Sequence, residues 1–281
     1  MKQIAVIGAG VMGQGVAQVV AENGYNVMLL DISQDILSSA IYKIQLNLKV
    51  QQMGKKQGKN DVNTILQRIK STTNVQEINE ADIVIENITE DVNLKIELYH
   101  QIREFIREES VLMINTSCIS ITRLASLLIK PENVIGAHFM NPVKQISAIE
   151  LIKGYHTSSY TIEKAQQFIQ SLEKSAIIVE DFPGFVSNRI SHVMINEAVF
   201  VVQDGVASPE TVDSIFRQCY GHKMGPLQTA DLIGLDTVVK SLNVLYESYQ
   251  DPKFRCCPLL KKMVDAGLLG RKSGQGFYFY Y

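Results

Sequence analysis

The chain has 281 residues, enough for two domains that each bury a core, and its 46% hydrophobic and 20% charged residues are the balance of a soluble protein. A net charge of -2 supplies neither the basic field that nucleic acid requires nor an acidic tail. The four cysteines, Cys118, Cys219, Cys256 and Cys257, form no CxxC motif or Cys/His cluster, so no metal site is expected and a reducing, cytoplasmic compartment fits.

The first apolar run, residues 4–7, is stopped by Gly8 and followed by a helical pattern. It reads as a buried strand and not as a signal peptide. No apolar stretch approaches the ~18 residues of a membrane span. Further continuous apolar runs at 27–30, 83–85, 111–114, 134–137 and 176–179 predict strands covered on both faces. Helical stretches such as 13–23 and 93–106 separate them, and this alternation predicts a doubly wound, mainly parallel sheet. The amphipathic insertion at 33–69, with Lys43, Lys49, Lys55, Lys56 and Lys59, predicts a helical hairpin leaving that sheet. Past Asp181-Phe182-Pro183-Gly184 the strand-like runs give way to helix-length stretches at 186–204, 208–219, 226–249 and 258–266. Ser208 before Pro209 is a capping residue ahead of a proline at the first helical position. The expected organisation is an α/β dinucleotide-binding domain with a helical insertion, residues 1–182, followed by an all-α domain, 183–281.

Gly8, Gly10 and Gly13 form a G-x-G-x-x-G pattern between a strand and a helix. Gly8 makes the tight turn, Gly10 admits a pyrophosphate, and Gly13 lets helix pack on strand. The helix start at Val11 and Met12 offers free amides and a positive dipole end to phosphates. Asp31 closes the second strand, where a carboxylate accepts from a ribose diol and repels a 2′-phosphate, and no Arg follows it. NAD is therefore expected over NADP, while FAD uses the same fingerprint.

Polar residues also follow other strands: Asn115-Thr116-Ser117 after 111–114, and His138 after 134–137. Glu150 interrupts an apolar run, and Asn188 opens the helical half. Oxidation of an alcohol needs a base for the hydroxyl proton, a role suited to His, with a carboxylate to orient the imidazole and donors for the developing charge. Spacing alone leaves open that His138 and Glu150 are ordinary satisfied polar residues. His100, His156, His192 and His222 have no motif around them, and Asp231 and Asp236 read as braces within the helical half.

Seven motifs extend this reading: GAGVMGQGVA from Gly8, ADIVIE from Ala81, NTS at Asn115, HFMNPV from His138, DFPGFVSNR from Asp181, MGPLQTADLIGLDT from Met224 and GRKSGQGFY from Gly270. With them the chain resembles the 3-hydroxyacyl-CoA dehydrogenase family along essentially its whole length. The resemblance implies that His138 is the catalytic base with Glu150 as its partner, and that Ser117 and Asn188 hold the substrate oxygen and thioester. It places cofactor contacts on Asp31, Glu90, Lys95, Asn115, Asn141 and Lys272. It also implies a homodimer formed through the helical domain, which closes over the sheet domain. Asn47 and Lys55 in the insertion are further candidates for CoA contacts.

Three departures from the family pattern stand out. Lys144 to Ala148 replace a proline, an apolar pair and a lysine ahead of Glu150, which implies a smaller or more polar pocket. Asn87 stands where a small apolar residue is usual, and Cys256-Cys257 where proline and a small residue are. A polar pocket would suit a glyceryl group on an acyl carrier protein, the substrate of relatives that make polyketide extender units. The Lys-rich insertion would grip CoA phosphates or an acidic carrier protein equally well. A non-catalytic NAD-binding protein would have no reason to keep Ser117, His138, Glu150 and Asn188 together. A dehydrogenase of free hydroxy acids would need an additional arginine clamp, and only Arg189 lies near these motifs.

Overall fold

The computed structural model describes residues 3–53 and 61–280. The chain divides into two compact units, Met1–Asp181 and Phe182–Tyr281. The first is built on strands β1 (Gln3–Ile7), β2 (Asn26–Leu30), β3 (Ile69–Thr72), β4 (Ile83–Glu86), β5 (Val111–Ile114), β6 (Val134–His138), β7 (Ala148–Lys153) and β8 (Ser175–Glu180). They form one sheet in the order β3-β2-β1-β4-β5-β6-β7-β8. Every neighbouring pair is parallel except β6 and β7. Helices α1 (Val11–Glu22), α2 (Gln34–Met53), α3 (Val62–Gln67), α4 (Val92–Ile102), α5 (Ile121–Ala125) and α6 (Ser159–Ser171) connect them. The doubly wound parallel sheet is as expected.

Three details differ from expectation. The insertion does not leave the sheet: Leu37, Ala40, Ile44 and Leu48 recur at helical spacing along α2 and are buried in the same core as α1 and β1. With Val62 and Ile65 of α3, this segment is the crossover between β2 and the short, polar β3. Second, β7 is a full strand that runs against β6. Third, β8 is the sheet edge, and Ile177 and Ile178 are 55% and 40% exposed. Lys55, Lys56 and Lys59 lie outside the described residues.

The second unit contains α7 (Ser187–Gln203), α8 (Pro209–Cys219), α9 (Pro226–Ile233), α10 (Leu235–Tyr249) and α11 (Pro258–Asp265). Gly234, at φ +101°, breaks the expected 226–249 helix into α9 and α10. Ser208 caps α8 by accepting from the Thr211 amide at 3.3 Å. Ile195, Val199, Leu227, Leu235, Val238 and Leu242 form the core, joined by Cys256 and Cys257. All four cysteines are free, and burial pushes the Cys256 thiol up to about 11, which keeps it inert at neutral pH. No described helix is long and apolar enough to cross a membrane.

Two buried carboxylates fasten the C-terminal segment. Asp231 accepts from the amides of Phe277 and Tyr278 and from the Tyr280 hydroxyl, each at 3.0 Å. The Tyr278 hydroxyl donates to Asp213 at 2.8 Å. Burial, and then the bond to Asp231, push the Tyr280 phenol up to about 12; burial and Asp213 push Tyr278 higher still. A phenol ionises near ~10 in the unfolded chain. The folded state therefore holds these protons longer, so their stabilisation is complete below about pH 10 and is lost as pH rises through the folded values. Thermal midpoints measured from about pH 9 to about pH 12 are expected to fall, and less steeply in Tyr280→Phe. An identical slope in that variant would remove Tyr280 from the account.

Candidate active site

The winding of the sheet reverses at β1, which has β2 on one side and β4 on the other. Such a switch leaves a crevice beyond the carboxyl ends of the strands. Gly8 turns there at φ +93°, and a Cβ on it would lie 2.7 Å from the Asn87 carbonyl oxygen. A Cβ on Gly13 would run into the Gly8 carbonyl. The glycine turn is thus closed against the loop after β4, as only glycine allows. Beyond it α1 begins at Gly10 with no side-chain cap, whereas Asp91 caps α4 and Ser158 caps α6. A Cβ on Gly10 would meet nothing within 4 Å, and Val11 is 70% exposed. The first amides of α1 therefore face open space at the positive end of the helix, the arrangement that takes phosphate. The Asp31 carboxylate accepts from Ala9 N at 2.6 Å and Ile32 N at 2.8 Å, which fixes it beside the turn. Closed turn, uncapped helix and tethered carboxylate fit a dinucleotide.

The ends of β4 and β5 are held from below by a buried triad. Glu86, Lys95 and Tyr99 are all 0% exposed. The Lys95 ammonium donates to both Glu86 oxygens at 2.7 Å and to the Asn115 carbonyl at 3.2 Å; the Tyr99 hydroxyl donates to Glu86 at 2.7 Å. Burial and the Glu86 charge push the Tyr99 phenol well up. Lys95, an expected cofactor contact, is an internal ion-pair partner with its ammonium buried. Glu86 and Tyr99 escaped the sequence reading. Their signal was a carboxylate closing an apolar strand, with Lys and Tyr four residues apart on one face of the next helix.

Above the triad, Asn115 Oδ1 accepts from Phe139 N at 3.1 Å, and its Nδ2 donates to Asn87 Oδ1 at 2.8 Å. Asn87 Nδ2 donates to the Ile85 carbonyl at 3.2 Å. Backbone groups of fixed polarity stand at both ends of this chain, so both amides can sit only one way. Asn87, a departure from the family pattern, thereby orients Asn115. Glu90 turns toward the loop after β5, where its Oε1 accepts from Thr116 Oγ1 at 2.6 Å, Ser117 N at 2.8 Å and Cys118 N at 3.0 Å.

His138 and Glu150 are direct cross-strand partners in the antiparallel β6–β7 pair. Directly paired residues point to the same face, so the register alone brings imidazole and carboxylate together. His138 Nδ1 lies 3.2 Å from Glu150 Oε2, and the two residues are 7% and 6% exposed. A carboxylate only accepts, so Nδ1 carries the proton and Nε2 presents its lone pair. Ser117 Oγ lies 3.4 Å from that Nε2, a long contact. A base with an oriented tautomer and a hydroxyl donor converge on one small volume at the strand ends.

The remaining expected residues are dispersed. Asn141 is exposed just past β6, and Asn47 is exposed on α2. Lys55 lies outside the described residues. In the second unit Asn188 sits in the first turn of α7, its carbonyl accepting from His192 Nδ1 at 3.0 Å, and Lys272 pairs with Asp236. The departing loop does not aim its charge at Glu150: Lys144 donates to Glu22 of α1 at 2.7 Å and to Gln51 of α2 at 2.6 Å.

Comparison with known proteins agrees with this geometry. Residues 3–182 match the family model for the 3-hydroxyacyl-CoA dehydrogenase NAD binding domain, and 184–280 the model for the corresponding C-terminal domain. The chain is 44% identical over 279 residues to a probable 3-hydroxybutyryl-CoA dehydrogenase of Deinococcus radiodurans, covering 99% of this chain and 100% of that one. It is 42% identical to a 3-hydroxybutyryl-CoA dehydrogenase of Bradyrhizobium diazoefficiens, covering 100% and 96%. Among solved structures, the (S)-3-hydroxybutyryl-CoA dehydrogenase of Ralstonia eutropha superposes with a TM-score of 0.96 at 40% identity, covering 100% and 99%.

Proposed function

Because the chain belongs to the 3-hydroxyacyl-CoA dehydrogenase family, we propose that His138 is the general base of an NAD-dependent oxidation of a short 3-hydroxyacyl-CoA to the 3-oxoacyl-CoA. The observation that carries this reading is the buried Glu150–His138 pair, with Ser117 Oγ 3.4 Å from the imidazole Nε2. Nδ1–H bonded to Glu150 leaves Nε2 to accept the substrate hydroxyl proton, and the carboxylate stabilises the cation that results. The Ser117 hydroxyl donates to the substrate oxygen as charge develops on it. Asn188, of the second unit, is assigned to the thioester side of the substrate. Bound NAD supplies the hydride acceptor. Gly8, Gly10, Val11, Met12 and Gly13 would hold its pyrophosphate and Asp31 a ribose, with Asn115, Asn141 and Lys272 as further contacts. Reduction of the 3-oxo group uses the same residues in the opposite sense.

The names of the relatives favour a CoA thioester over a carrier-protein substrate. The destination of Lys144 agrees, since this residue spends its charge on α1 and α2. We assign the expected homodimer contact to the second unit, as the family resemblance implies.

The test is NADH formation, followed by absorbance, with (S)-3-hydroxybutyryl-CoA and a glyceryl-acyl carrier protein assayed side by side. Turnover of the CoA ester is expected. Turnover of the carrier-bound group alone would transfer the assignment to extender-unit synthesis.

A further inference from the structure

We propose that Glu90 is a positioning residue that sets Ser117 against His138. The proposal rests on the role given to Ser117 above. Residues 116–120 follow β5 without regular secondary structure, past the last bond of its ladder with β4, from Asn115 N to the Glu86 carbonyl. Thr116 and Cys118 on either side of Ser117 are buried, 2% and 6% exposed. The acceptor is a single oxygen, Glu90 Oε1, which takes the amides of Ser117 and Cys118 together with the Thr116 hydroxyl. The Thr116 hydroxyl in turn accepts from Ile119 N at 3.0 Å.

Successive amides aimed at one point form an anion-binding nest, a backbone shape that elsewhere takes phosphate. Here the protein's own carboxylate fills it. Glu90 is itself fixed on both sides. Asn87 N donates to the Ile7 carbonyl at 2.7 Å, and the Asp91 carboxylate accepts from Asn93 N and Leu94 N at 2.8 and 3.1 Å to start α4. The loop after β4 therefore works as a template that shapes the loop after β5, and the Ser117 hydroxyl is the part of that shape the reaction uses. This differs from the role the family pattern gives Glu90, which is contact with the cofactor. The two roles predict different kinetics.

The experiment compares Glu90→Ala, Glu90→Gln, Ser117→Ala and the Glu90→Ala/Ser117→Ala double variant in the full chain. The readouts are kcat and KM with (S)-3-hydroxybutyryl-CoA and the NADH Kd from fluorescence titration. Misplacing one donor to a developing oxyanion costs on the order of tenfold or more in kcat, and that loss is expected for Glu90→Ala with the NADH Kd within about twofold of wild type. Glu90→Gln keeps an acceptor oxygen and is expected to lose only about threefold. In the double variant the loss is expected to match that of Ser117→Ala alone, because Glu90 acts through Ser117. A raised NADH Kd with kcat retained would make Glu90 a cofactor ligand and overturn the proposal, as would losses that multiply in the double variant. If Glu90→Ala does not fold, the same split is read from Glu90→Gln, and an unchanged kcat there overturns it. Wild-type protein that binds NADH but turns over no hydroxyacyl thioester would sink the catalytic reading itself, a result distinct from failure of the Glu90 variants alone.

Discussion

His138→Gln is expected to lower turnover by roughly 10³-fold while leaving the NADH Kd within about twofold of wild type. Glutamine keeps a donor for Glu150 and fills most of the imidazole volume, so β6 and β7 stay paired. What it lacks is an atom that takes a proton at neutral pH. The glycine turn and Asp31, proposed for pyrophosphate and ribose, belong to β1, α1 and β2, and Asn115 is oriented through the backbone amide of Phe139, which the substitution leaves in place. Steady-state kinetics and an NADH fluorescence titration check the two halves of this statement. Loss of NADH binding together with turnover would mean that His138 serves the cofactor and that the proton has another acceptor.

Glu86→Leu is expected to destabilise the first unit by about 3–5 kcal/mol, the cost of leaving one member of a buried ion pair uncompensated. The substitution strands the Lys95 ammonium at 0% exposure with only the Asn115 carbonyl, and removes the acceptor of the Tyr99 hydroxyl. The double variant Glu86→Leu/Lys95→Met removes both charges at similar volume and is expected to regain most of the loss. Urea denaturation of the single and double variants decides it. A single variant that costs less than about 1 kcal/mol would show that water reaches the pair.

The parts of the molecule that were legible in the sequence were those set by backbone requirements. Gly8 and Gly13 announce a turn that tolerates no side chain, and continuous apolar runs announce buried parallel strands. The residues that misled did so because a pattern names a side chain without saying which way it points. Lys95 was expected among the cofactor contacts, and the pattern did not say that it also pairs with Glu86. Lys144 looks like a polar intrusion ahead of Glu150, yet it reaches back to α1 and α2. The run at 176–179 is as apolar as a central strand, although β8 is an edge; apolar content does not report how many neighbours a strand has. β3 was hidden because Lys70, Ser71 and Thr72 break its apolar character, and its partner β2 supplies the pairing. β7 was hidden for the opposite reason: Glu150 drew attention as a candidate group, which obscured the strand that carries it. The partners of Thr116 and Asn87, Glu90 and Asn115, became visible only when the loops after β4 and β5 were seen side by side, a proximity that belongs to the strand order.

The β6–β7 register also separates two properties that most active sites entangle. The meeting of His138 and Glu150 is specified by which residues pair across two strands, while the loop between them is fastened elsewhere, to Asn115 through Phe139 N and to α1 and α2 through Lys144. Exposed positions of that loop such as Gln145 and Ser147 can therefore vary while His138 and Glu150 stay opposite one another, so a descendant can change the polarity beside the pair without rebuilding the pair itself.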